Sequence, residues 1–261
     1  MPYLTLPTHL LHYRIDGAGE TKPWLTFCNS LGTDLHMWDA QIADLSSDFR
    51  ILRYDRRGHG KSEAPPAPYS MADLGRDVIA LLDVLNINRT HFCGLSIGGM
   101  TGQWLAINAA ARLDHIVLCA TASRIGTAES WDARIKDVRA TGLAPLVPAT
   151  AERWFSATFR AEHSETVNAI LNSFIHTSAD GYSGCCAALT SADFQGRLNE
   201  IANPLLAISG DDDPVCPPAA LENLAASVPN GRHVSMPGRH IVNIESVSQF
   251  SEALKDFLIS P

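Results

Sequence analysis

Apolar residues recur at helical spacing between residues 71 and 85, at Leu74, Val78, Leu81, Leu82 and Leu85, which predicts an amphipathic helix. Other stretches follow a different rhythm. Residues 24–28 are a short apolar run, as expected of a strand buried in a parallel sheet, and 49–54 and 115–120 read as further strands. Residues 3–16 alternate more loosely through Leu4, Leu6, Leu10, His12, Tyr13 and Ile15. Two short antiparallel strands are expected there, ended by the turn Asp16-Gly17-Ala18-Gly19. Trp38, Ile42 and Leu45 place a helix over 35–45, and the chain from His91 reads as a strand turning through glycines into a helix over 99–111.

Up to residue 122 strands and helices alternate, and then the alternation stops. Trp131, Ile135, Val138 and Leu143, and later Val167, Ile170, Leu171 and Phe174, carry helical spacing, with no strand pattern among them. A strand resumes over 204–210, a helix follows over 218–226, a last strand over 233–236 and a last helix over 247–259. The expected fold is α/β, a mostly parallel sheet with helices on both faces and a helical insertion. Its core would comprise residues 1–122 and 196–261, and residues 123–195 would form a helical cap. There is no internal repeat and no low-complexity segment.

Composition narrows the function classes. The 261 residues carry a formal net charge of -8 with no basic run, which argues against a nucleic-acid partner. The stretch Met1-Pro2-Tyr3-Leu4 opens no signal peptide and no apolar run approaches membrane-spanning length, so a cytoplasmic, unanchored protein is expected. Six cysteines without paired Cys-x-x-Cys units read as free thiols, with Cys185 and Cys186 as packing residues. The ten histidines form no ligand-spaced set, so no metal site is expected.

The chemistry centres on Gly94-Leu95-Ser96-Ile97-Gly98, a Gly-x-Ser-x-Gly elbow in which a tight turn presents the serine hydroxyl. A serine needs a base, and the base needs an orienting acid. Asp211, Asp212 and Asp213 compete for the latter role. Asp213 is preferred, since it lies three residues past Gly210 and just before Pro214. His240, in the loop between the last strand and the last helix, is the expected base, and His233, within that strand, is its rival. The order Ser96, Asp213, His240 suits this elbow. The oxyanion would be held by the backbone amides of Ile97, at the start of a helix, and Leu31, in the loop Asn29-Ser30-Leu31-Gly32.

With these residues placed, the whole chain resembles the α/β-hydrolase family and, more narrowly, the 3-oxoadipate enol-lactonases of bacterial aromatic catabolism. The matching segments are Asn-Ser-Leu-Gly-Thr at 29–33, Asp-Arg-Arg-Gly-His-Gly-Lys-Ser at 55–62, Gly-Leu-Ser-Ile-Gly-Gly-Met at 94–100, Arg-Ile-Gly-Thr-Ala at 124–128 and Glu-Arg-Trp-Phe at 152–155. Asn29-Ser30 replaces the His-Gly of many relatives and looks like the enol-lactonase pattern. Arg239, directly before His240, departs from the small residue usual there. The resemblance implies hydrolysis of a small anionic lactone by an acyl-enzyme route without a cofactor, under a lid formed by the insertion. Residues 123–195 contain six Lys/Arg and eight Asp/Glu, so a specific arginine must meet the substrate carboxylate. Arg134 is the first candidate and Arg124 the second, with Trp131 and Trp154 as apolar walls. Alternatives are a small-ester carboxylesterase, a carbon–carbon bond hydrolase, or a ligand receptor that retains this fold.

Overall fold

The computed structural model describes residues 2–259; Met1, the first residue of the stretch read for a signal peptide, lies outside the described residues, as do Ser260 and Pro261. Eight strands form one sheet: β1 (Tyr3–Thr5), β2 (Leu10–Asp16), β3 (Trp24–Cys28), β4 (Arg50–Tyr54), β5 (Thr90–Leu95), β6 (Leu113–Cys119), β7 (Leu205–Gly210) and β8 (Gly231–Met236). Their spatial order is β1-β2-β4-β3-β5-β6-β7-β8. β1 and β2 pair antiparallel, β2 joins β4 antiparallel, and every pairing from β4 to β8 is parallel. β5 and β7 are buried at every position, as expected of central strands covered on both faces.

The helices outside the long insertion are α1 (Asp39–Leu45), α2 (Met71–Val84) and α3 (Ile97–Asn108) before it, and α9 (Pro218–Ala226), α10 (Val242–Glu245) and α11 (Val247–Ile259) after it. Within it lie α4 (Ala128–Thr141), α5 (Val147–Trp154), α6 (Ala157–Glu162), α7 (Ser164–His176) and α8 (Ala179–Thr190). The link from β3 to β4 runs in one direction across the sheet, whereas β4 to β5, β5 to β6 and β7 to β8 run in the other. Because parallel crossovers are right-handed, α1 falls on one face and α2, α3 and α9 on the opposite face. α11 packs on α1, and α2 packs on α3. The reversal of direction lies between β3 and β5, and such a switch point opens a crevice at the carboxyl ends of the strands.

Local chemistry sets several boundaries. Ser70 caps α2 through the Asp73 amide while the Asp73 carboxylate returns to the Ser70 amide. The expected helix over 35–45 is instead a 3₁₀ turn, Leu35–Trp38, followed by α1. Asp34 starts that turn by accepting from the His36 amide. No described helix is long and apolar enough to cross a membrane. All six cysteines are buried and free.

Candidate active site

Ser96 stands between β5 and α3 with φ +60° and ψ −118°, a strained setting that its surroundings pin on both sides. Its amide donates to the Cys119 carbonyl at 2.9 Å, and its own carbonyl accepts from Thr121 Oγ1 at 2.8 Å and the Met100 amide at 3.0 Å. The flanking glycines are demanded by contact. A Cβ on Gly94 would strike the Gly98 carbonyl, and one on Gly98 would strike the Cys28 carbonyl at the end of β3.

Asp213 and His240 meet across the end of the sheet. His240 Nδ1 lies 2.8 Å from Asp213 Oδ2, and both residues are buried. Asp213 Oδ1 accepts from the amides of Val215 at 2.7 Å and Cys216 at 3.1 Å, so each of its oxygens has a partner. With a carboxylate accepting from Nδ1, the free imidazole nitrogen is Nε2. The two neighbouring acids are engaged elsewhere: Asp211 with the Ser235 hydroxyl, and Asp212 with Arg239 at 2.8 Å. His233 bonds Ser209 Oγ at 2.9 Å, away from the candidate serine. Asp213, Cys216 and His240 lie close enough to share an ion. Their donors are already committed, however, since both Asp213 oxygens carry hydrogen bonds and burial pushes the Cys216 thiol well above its ordinary pKa.

A cavity of about 300 Å³ is lined by Ser30, Leu31, Ser96 and His240 from the sheet side and by Trp131, Arg134, Arg153, Trp154, Phe174 and Tyr182 from the insertion. Leu31 belongs to the turn closed by the Thr33 amide on the Ser30 carbonyl, where Gly32 takes φ +78°. Among the described residues, neither the Leu31 nor the Ile97 amide has an acceptor within the protein. Trp131 is held by its indole N–H on the Ile125 carbonyl at 2.6 Å, and Trp154 stands edge-on to Phe174. A groove of about 690 Å³ beside α7 is larger, but it contains neither Ser96 nor His240.

A family model described as the alpha/beta hydrolase fold matches residues 23–247. The chain belongs to the α/β-hydrolase family. Within this family it is 40% identical over 252 residues to 3-oxoadipate enol-lactonase 2 of Acinetobacter baylyi, covering 97% of this chain and 94% of that one. The crystal structure of the enol-lactonase from Burkholderia xenovorans superposes with a TM-score of 0.97 at 43% identity, covering 99% of this chain and 100% of that one. A putative carbamate hydrolase, RutD of Variovorax paradoxus, is 30% identical over 255 residues, covering 95% of this chain and 96% of the relative.

Set in this hydrolase fold, the residues expected from sequence divide clearly. Ser96, His240, Leu31, Arg134, Trp131 and Trp154 line one cavity, with Asp213 behind His240 and Ile97 directly after Ser96. Arg124 does not line it. It lies 3.6 Å from Asp193, with its side chain 46% exposed, because it leaves β6 toward the surface before α4 begins. The residue missed is Arg153, one position before Trp154 on α5. Its signal was present, since it stands inside the Glu-Arg-Trp-Phe segment, but α5 is too short for periodicity to say which way an arginine faces. Arg239, the departure from the usual small residue, ties the histidine loop to the insertion by donating to the Glu152 carbonyl at 2.5 Å. The Ile241 amide donates to the Trp154 carbonyl at 3.1 Å, and Ser156 bonds Glu245.

Proposed function

We propose that this hydrolase opens 3-oxoadipate enol-lactone, a small ring ester bearing a carboxymethyl group, to 3-oxoadipate in the breakdown of aromatic compounds. The observation that carries the reading is one cavity lined by Ser96, His240, Arg134 and Arg153, in which neither arginine has an ion-pair partner among the described residues. Mutual repulsion accompanies this arrangement. Burial first, and the charge of Arg134 second, pull the Arg153 pKa below its ordinary value. An anionic substrate would relieve both, as a carboxylate bridging two guanidinium groups gains charge-assisted hydrogen bonds. The relatives named enol-lactonases support the same substrate.

In this mechanism Ser96 Oγ attacks the lactone carbonyl while its proton passes to His240 Nε2, and Asp213 steadies the imidazolium through Nδ1. The Leu31 and Ile97 amides hold the tetrahedral oxyanion, with the start of α3 adding its field. Collapse breaks the ring C–O bond, and the enol oxygen leaves with the proton from His240. The enol stays tethered to the acyl chain and ketonises, which opposes reclosure. Water deprotonated by His240 then releases the diacid and regenerates Ser96. This acyl transfer needs no cofactor. The core of residues 1–122 and 196–261 supplies the triad, the helical cap of residues 123–195 supplies the arginines and tryptophan walls, and the reaction belongs in the cytoplasm.

The deciding experiment compares kcat/KM for the enol-lactone, a neutral lactone, a simple aryl ester and a carbamate. Preference for the enol-lactone supports the assignment. Preference for the carbamate would align the chain with relatives named as carbamate hydrolases, and tight lactone binding without turnover would make it a receptor.

A further inference from the structure

Arg56 is 2% exposed, and among the described residues it forms no ion pair. Burying a guanidinium without a counter-ion is costly, so its partners are informative. They are the Asn29 carbonyl, reached by Nη2 at 2.6 Å, the Ser30 carbonyl, reached by Nη1 at 3.3 Å, and Cys28 Sγ at 3.4 Å from Nη2. Cys28 is the last residue of β3, and Asn29 and Ser30 are the first two of the segment that leaves it toward the cavity. The Ser30 carbonyl also accepts from Thr33 Oγ1 at 3.0 Å and the Thr33 amide at 3.4 Å. That carbonyl shares a peptide unit with the Leu31 N–H.

We propose that Arg56 is a positioning residue for the oxyanion hole, acting through the Ser30–Leu31 peptide. A trans peptide is planar, with its C=O and N–H directed oppositely. Fixing the Ser30 oxygen toward Arg56 and Thr33 therefore fixes the Leu31 N–H in the reverse direction, away from Arg56. A buried positive charge on the oxygen also draws electron density from the nitrogen, and hydrogen bonds coupled in this way strengthen one another. The N–H becomes a better donor at the moment negative charge develops on the substrate oxygen. Asn29 completes the frame, its Nδ2 donating to the Tyr54 carbonyl at 2.9 Å while its Oδ1 accepts from Trp38 Nε1 at 3.0 Å. The inference rests on the reading of Ser96 as nucleophile and the Leu31 amide as an oxyanion donor.

The test uses Arg56→Met, Arg56→Gln and Arg56→Lys in the full chain. Loss of the charge in Arg56→Met or Arg56→Gln is expected to lower kcat roughly 10- to 100-fold with KM changed less than about threefold, and Arg56→Lys should recover much of the loss. A trifluoromethyl ketone analogue of the substrate provides the second readout. Ser96 Oγ adds to its carbonyl carbon, the serine proton goes to His240, and the former carbonyl oxygen becomes the oxyanion. Its affinity should fall in parallel with kcat, whereas affinity for the diacid product stays near wild type. Equal kcat and ketone affinity in wild type and Arg56→Gln, with only a lower Tm, would make Arg56 structural and overturn the proposal. Arg56→Gln keeps a hydrogen-bond donor, so it decides the matter if Arg56→Met does not fold. Failure of the wild type to form the ketone adduct would overturn the proposal by removing the serine mechanism itself.

Discussion

Arg134 and Arg153 face one cavity from two separate helices, α4 and α5, and Tyr182 stands beside both. Burial pushes the Tyr182 phenol well above its ordinary pKa, even though both arginines oppose the shift. Two guanidinium groups beside a neutral phenol form a positive recess in a chain whose net charge is -8. Local placement outweighs the overall sign at such range, because a few ångströms lie well inside the screening length.

Arg134→Ala and Arg153→Ala should each lower kcat/KM for the enol-lactone by roughly 10- to 100-fold, the usual scale for losing one partner of a partly desolvated charge pair. A neutral lactone should lose little further in either variant. Steady-state kinetics on both substrates checks this, and equal losses on the two would mean that packing of the helices, not carboxylate binding, had been disturbed.

Among the three consecutive acids, Asp213→Asn should be the most damaging, with kcat reduced on the order of 10⁴-fold, since the amide favours the wrong imidazole tautomer. Asp211→Asn and Asp212→Asn should remain within about tenfold of wild type, because their carboxylates serve Ser235 and Arg239. A larger loss in Asp212→Asn than in Asp213→Asn would contradict this assignment.

Ser96→Ala should lose on the order of 10⁴-fold or more in kcat while remaining folded. Ser96→Gly should be equally inactive yet more stable than Ser96→Ala by about 1 kcal/mol, as glycine accepts φ +60° without a Cβ penalty. Chemical denaturation of the two variants measures the difference, and equal stabilities would mean that the elbow stores no such strain.

Acid should destabilise the protein through two buried histidines. Burial, reinforced by Arg56, pulls His59 from 6.5 down to about 3. Burial likewise lowers His91 to about 4, with Asp114 opposing and His115 and Arg89 assisting. Folded values below the unfolded value mean that the unfolded chain binds more protons in this window. Their contribution is therefore fully present above about pH 6.5 and is lost as pH falls toward the folded values. Near pH 5 each histidine should contribute a slope of about 1.4 kcal/mol per pH unit. Urea denaturation between pH 7 and 5 should give a shallower fall for His59→Gln than for wild type; parallel curves would count against a neutral buried His59.

Local pattern alone was enough wherever one short stretch contained the whole cause. The residues expected for β3, α9 and α11 are those observed, because an apolar run or a helical stripe needs no distant partner to be recognised. The same holds for the elbow, whose glycines and serine occupy a single turn. Between adjacent acids, sequence offered only spacing. The distinction came from Ser235 on β8 and from Arg239 and His240 in the loop beyond, brought together by the β7–β8 pairing. Short α10, Val242–Glu245, escaped notice because four residues show no period. From the sequence, Arg124 is the second candidate for the substrate carboxylate and Arg153 is not singled out. Tertiary packing set Arg124, in the loop between β6 and α4, toward Asp193 at the surface and Arg153, on short α5, into the cavity, since the direction of a side chain on a loop or a short helix depends on what that segment rests against.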